Sequence, residues 1–139
     1  MKRYVSEAIF GSSDGLLAAL AVTLAAGSRG RTAVLLSLFA IFVAEGFGMG
    51  VADFLAKEKA SVGWRQAVAM GVSTGGAILA VGVPWLITSG TSAEFGSVIV
   101  ALVIGAGISQ VRPGGWTAWA QTFGLLAAVA AVTGAVGHA

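Results

Sequence analysis

Two stretches of the chain, Ala67 to Ile87 and Trp116 to Val136, contain no Asp, Glu, Lys or Arg. About 20 apolar residues are what a helix needs to cross the hydrocarbon core of a bilayer. Inside that core each backbone polar group must be satisfied within the segment, which leaves the helix as the natural solution. Three further runs obey the same rule: Ala8 to Gly27, broken only by Asp14; Thr32 to Leu55, interrupted by Glu45 and Asp53; and the shorter Phe95 to Val111. Composition agrees, with 57% hydrophobic and 10% charged residues, where a soluble domain carries about 25% charged. The expected fold is an all-α integral membrane protein of five transmembrane helices. A single transmembrane domain spans residues 1–139, with helices at about 5–27, 32–56, 65–87, 94–111 and 115–137.

The 21 glycines are compatible with that fold, because small residues let membrane helices approach closely. Gly71 with Gly75, and the segment "GLLAAVAAVTGAVG" from Gly124 to Gly137, are predicted packing surfaces. No glycine-rich fingerprint follows a strand and no Walker lysine is present, so nucleotide binding is not indicated. Cysteine is absent, which excludes disulfides and thiolate metal sites. No nucleophile, base and orienting group stand within reach of one another, and an enzyme is not expected. The net charge of +2 resides in loops beside spans and points to topology, not to nucleic acid.

Orientation follows from the basic residues, which favour cytoplasmic loops. With the N-terminus inside and the C-terminus outside, Lys2, Arg3, Lys57, Lys59, Arg65 and Arg112 lie inside and only Arg29 and Arg31 outside. Tyr4, Trp64, Trp116 and Trp119 then fall at the inner interface and Trp85 at the outer one, as an aromatic belt. Glu7 and Asp14 are foreign to the apolar core of a signal peptide, so the first helix is expected to be retained. Thr91 and Glu94 have the spacing of a capping box, and Pro84 is expected to kink the third helix.

The acids carry the functional question. A carboxylate in the bilayer core costs about 2.5–3.5 kcal/mol on insertion scales and marks a pathway or a paired site. No Lys, Arg or His stands at the depth of Asp14, so its partner is a second carboxyl sharing a proton or an imported cation. At 1.5 Å per residue Asp14 lies about 10 Å deeper than Glu7. On the second helix Glu45, Met49 and Asp53 repeat at i, i+4, i+8 and share one face. If the faces meet, Asp14 is level with Glu45 and Met49, and Glu7 with Asp53, lining a cleft that opens inward. Carboxylates with a thioether suit a transition metal such as iron(II) better than calcium or magnesium. Metal entry would displace a proton from Asp14, a direct route to exchange. Gln110 and Gln121 are candidates for interhelical hydrogen bonds, and His138 has no assigned role. A cleft between two copies would shield four acids from lipid, so a homodimer is expected.

"SEAIFGSSDGLLAAL" (Ser6 to Leu20) resembles the first-helix signature of the vacuolar iron transporter family, and "GFGMGVADFLAKEKAS" (Gly46 to Ser61) resembles its second. "VGVPWL" in the third helix and the Ala- and Gly-rich last helix are similar too. The resemblance implies that Glu7, Asp14 and Met49 line a metal pathway at a homodimer interface. It further implies that iron(II) or manganese(II) leaves the cytosol in exchange for protons. The membrane would be the cell's inner membrane in a prokaryote, or a vacuolar or other internal one in a eukaryote. The metal is cargo, and no prosthetic group is expected. The chain departs from the family in four places, one of them Ser6, which stands where an arginine often precedes the glutamate. "KEKASVGWRQ" (Lys57 to Gln66) stands where a helical, glutamate-rich cytosolic domain is usual. Glu45 replaces a small residue and Asp53 a glutamate. Two other classes fit the residues: a proton or monovalent-cation pathway using the same carboxylates, and a non-transporting membrane subunit.

Overall fold

A computed structural model describes residues 3–56 and 60–137. Helix α1 runs Arg3–Ala26, followed by a single 3-10 turn at Gly27–Arg29. The second span is built in three pieces: α2 Arg31–Ile41, a π-helical segment Phe42–Phe47 and α3 Gly48–Leu55. Then come α4 Ala60–Ile87, α5 Thr91–Val111 and α6 Trp116–Gly137. No strand occurs among the described residues. Five helical spans are long and apolar enough to cross a membrane. The third begins at Ala60, five residues before its expected start, so part of the predicted loop is helix. Lys57 and Lys59, assigned to the inner side, lie outside the described residues, as do Lys2 and His138.

α4 is the axis of the bundle. It packs most extensively against α1, and also against the second span and α5, while α6 closes over α1 and α5. The seam between α1 and α4 is made by Gly11 and Gly15. A methyl group at either position would overlap the Met70–Thr74 stretch of α4, so here the two backbones touch directly. The second span meets α4 in the same way, with Gly46 and Gly50 laid against Ala67, Gly71 and Gly75. The predicted packing role of Gly71 and Gly75 is what the structure shows. Gly124 and Gly134, predicted likewise, face open space, and of that segment's glycines Gly137 packs, against Leu24 and Ala25, while its Leu126 joins the core.

Leu16, Leu20, Val34, Leu38, Ile78 and Val81 fill the centre of the bundle. Trp85 joins them at 0% exposure. It sits toward the expected end of its span but faces the protein interior, so it is a core residue and not part of an outer aromatic belt. The buried hydroxyls of Thr23, Thr74, Ser109 and Thr122 bond back to carbonyls three or four residues earlier, which removes the cost of burying them. Ser97 instead donates across the bundle to the Val81 carbonyl at 2.8 Å, tying α5 to α4.

The ends are fixed by specific contacts. Gly90, with φ 63°, precedes α5 and accepts from the Ala93 and Glu94 amides. Thr91 is already helical and makes no side-chain cap, so the expected capping box does not form. α4 runs three residues beyond Pro84, whose carbonyl accepts from both the amide and the hydroxyl of Thr88. Arg31 donates to the Leu86 carbonyl at 2.6 Å and Ser28 to that of Gly137 at 2.7 Å. These two bonds tie the start of the second span to the end of α4, and the end of α1 to that of α6. Gln121 accepts from Arg112 at 3.0 Å, bridging α5 and α6 as predicted, whereas Gln110 is exposed.

Candidate functional site: a carboxylate pair beside a π-helical segment

Asp14 follows directly from the helix seam. Gly11 and Gly15 dock α1 on α4, and Asp14, next to Gly15, is carried to the edge of that contact, half-buried. Ser13 donates to the Ile9 carbonyl at 2.8 Å, so its proton is committed elsewhere. A purely structural role for Asp14, held by neighbouring hydroxyls, has no hydrogen bond to support it among the described residues.

Glu45 approaches from the second span and is close enough to Asp14 for the two carboxyls to interact electrostatically. One of its oxygens, Oε2, is shielded from solvent and has no hydrogen-bond partner. Such an atom in a native fold calls for an explanation, such as an ion, water or proton. Glu45 lies inside the π-helical segment. The sequence pattern predicts one regular helix for the second span, and the π segment departs from it. π turns are uncommon and concentrate at functional sites. The available signal was Gly46 and Gly48 flanking Phe47 in mid-span, since glycine weakens regular helix.

The remaining candidates are placed as follows. Met49 and Asp53 are half-buried on α3, and Glu7 is half-buried on the first turns of α1. The four acids do not gather into one cluster. Among the described residues no three of Asp, Glu, His or Cys are positioned to hold a metal together. The reason is the packing. α1 lies against α2 and meets the π segment only lightly, while α3 turns its glycine face to α4. Within one chain the two inner half-spans therefore diverge below the Asp14–Glu45 level, and the expected inward cleft is not closed.

The fold and this pair define a class: a multi-pass helical membrane protein with two interacting carboxyls within its spans. Comparisons with protein-family models, curated protein sequences and solved structures gave no match.

Proposed function

We propose that this protein is a secondary transporter moving a divalent transition metal, iron(II) or manganese(II), out of the cytosol in exchange for protons. The observation that carries the reading is the Asp14–Glu45 pair, with a shielded Glu45 oxygen that has no protein partner. Two acids so placed without a basic neighbour are most economically satisfied by a cation or a shared proton. Exchange of one for the other is transport coupling. Met49, one turn beyond Glu45, adds a soft donor. The resemblance of the first two helices to vacuolar iron transporters supports the same assignment, and the basic residues support an inside N-terminus.

The working unit is a homodimer. Ala40, Ala44, Gly48 and Ala52 form a stripe of small residues along the second span, all exposed in the single chain. An added methyl at Gly48 would meet nothing within 4 Å. Such a stripe lets a second helix approach closely, and it lies beside the face bearing Glu45, Met49 and Asp53. Two copies meeting there would complete a ligand set that, among the described residues, one chain leaves at two carboxylates.

The test is uptake into proteoliposomes of a metal panel under a pH gradient. Iron(II) or manganese(II) should accumulate and move protons the other way, and Asp14→Asn should abolish both fluxes while the protein remains folded. A second reading, a proton or monovalent-cation pathway, draws on the Asp14–Glu45 interaction, enough for a relay, with no third acid gathered to it among the described residues. Acidification without metal, lost in Asp14→Asn, would establish that reading instead. No flux affected by Asp14→Asn would make the protein a non-transporting membrane subunit.

A further inference from the structure

Two apolar grooves run side by side along α4 from the end of the bundle at which α1 begins. The first, about 710 Å³, lies between α4 and the second span, walled by Phe42, Phe47, Val51, Phe54 and Leu79 with Trp64 at its end. Its floor is backbone, because the helices meet there through glycines. The second, about 740 Å³, lies between α4, α1 and α5, walled by Ala8, Ile9, Gly107 and Val111 with Tyr4 and Arg65 at the same end. Val68 and Val72 border both grooves and form the ridge between them.

Where the grooves converge there is a cation. The Arg65 guanidinium stands 5.6 Å from the centre of the Trp64 ring. Along α4 the first groove extends from Trp64 to Leu79, roughly 22 Å at 1.5 Å per residue, and the second from Arg65 to Ser73, roughly 12 Å. One leaflet of hydrocarbon is about 15 Å deep. We propose that the paired grooves hold one anionic diacyl phospholipid, with one acyl chain on each side of the Val68–Val72 ridge and its phosphate on Arg65.

The chemistry selects this occupant over others. A guanidinium presents a planar fork suited to two phosphate oxygens, and a tryptophan beside it is at home at the headgroup level. A helix of a second copy, about 10–12 Å across with its side chains, does not divide over a ridge. It would also set the Arg65 guanidinium against apolar surface. None of the small residues assigned to the dimer stripe, Ala40, Ala44, Gly48 and Ala52, lines the first groove. The lipid site depends neither on the carboxylate pair nor on what it carries.

Native mass spectrometry of the purified protein, titrated with defined lipids, tests the proposal. Diacyl phosphatidylglycerol should be retained at one per chain and roughly fivefold more tightly than diacyl phosphatidylcholine, the advantage expected of one basic residue near an anionic headgroup. Arg65→Gln, at an exposed position, should remove that preference. Gly76 and Gly107 line the first and second groove, and neither would meet an atom within 4 Å on gaining a Cβ. Gly107→Phe should therefore block the diacyl lipid yet leave single-chain lysophosphatidylglycerol in the first groove. Gly76→Phe, which fills the first groove, should likewise block the diacyl lipid. Equal retention of the two diacyl lipids by the wild-type protein would overturn the proposal. So would unchanged retention in both groove-filling variants, or a dimer whose contact excludes lipid from the grooves.

Discussion

α4 and the second span are both apolar, both rich in small residues and both long enough to cross a bilayer, yet the bundle treats them differently. In the most apolar window of α4, 44% of residues are buried, against 11% in the second span. α4 is covered on several sides and carries no acid; its buried Thr74 bonds within its own helix, whereas the buried Trp85 Nε1 has no hydrogen-bond partner among the described residues. The second span is covered along one edge only. It breaks its helical register in the middle, and holds Glu45, Met49 and Asp53 on a half-covered face. The contrast separates scaffold from site. A span packed on several sides has little room for a cation and little freedom to move. A span attached by one glycine edge can present ligands and accept a partner, at the cost of local stability.

The largest effect should come from breaking the scaffold. In Gly15→Leu the side chain has to displace the backbone of Thr74. Overpacking typically costs about 1–3 kcal/mol, and more where backbone must shift, so folded yield and thermal stability in detergent should collapse. Gly134→Ala, at an open position of α6, should be close to neutral in the same assays. A well-folded Gly15→Leu protein would mean that the α1–α4 seam is not the rigid part of the molecule.

The next effect is on assembly. Since the chain has no cysteine, single cysteines report cleanly. Ala44→Cys or Ala52→Cys on the exposed stripe of the second span should trap most of the protein as a disulfide dimer in membranes. Val83→Cys, equally accessible on α4, should not. Equal cross-linking from both spans would erase the distinction between a partnered and a lipid-facing side.

Much of this contrast was legible in the sequence, and the illegible part has a physical cause. Hydropathy and length revealed five spans because the bilayer sets both. Gly71 and Gly75 were legible as a seam because their spacing matches the helix. Trp85 and Gly124 were misplaced for a common reason. Lipid and protein interior are equally apolar, so sequence gives the depth of an apolar residue but not the direction it faces. The π segment escaped because its period differs from 3.6 by less than a short apolar run can reveal. Rise per residue sets Asp14 level with Glu45 and Met49, and the Asp14 and Glu45 carboxyls interact electrostatically. The splaying of the half-spans below that level depends on α4 glycines docking α1 and α3 separately, which no single helix encodes.

Smaller effects are expected at Glu7 and Asp53, which stand toward the ends of their spans, where the cost of charge fades. Glu7→Gln and Asp53→Asn should each weaken apparent metal affinity several-fold while sparing the maximal rate. Added salt should hide part of the loss, because exposed charges are screened over about 8 Å at physiological ionic strength. Unchanged uptake at low metal concentration in both variants would make them ordinary helix-end charges and confine the site to the Asp14–Glu45 level.

The smallest expected effect is at Met49, and it sharpens the comparison most. Met49 belongs to the loosely covered span, one turn from Glu45, and is half-buried. A thioether is a weak, soft donor beside two carboxylates, so it should contribute little to total affinity and more to the choice between softer and harder ions. Met49→Leu conserves volume and normally costs under about 1.5 kcal/mol even in a packed core, so the five-span fold should survive it. If Met49 faces the cation, competition uptake should show the iron(II)-to-manganese(II) preference falling a few-fold at unchanged maximal rate. Met70, buried in α4, is the control: Met70→Leu should alter stability slightly and leave the metal preference untouched. If Met49→Leu behaves like Met70→Leu, the second span contributes only its carboxylates to selectivity, and Met49 belongs with the packing residues.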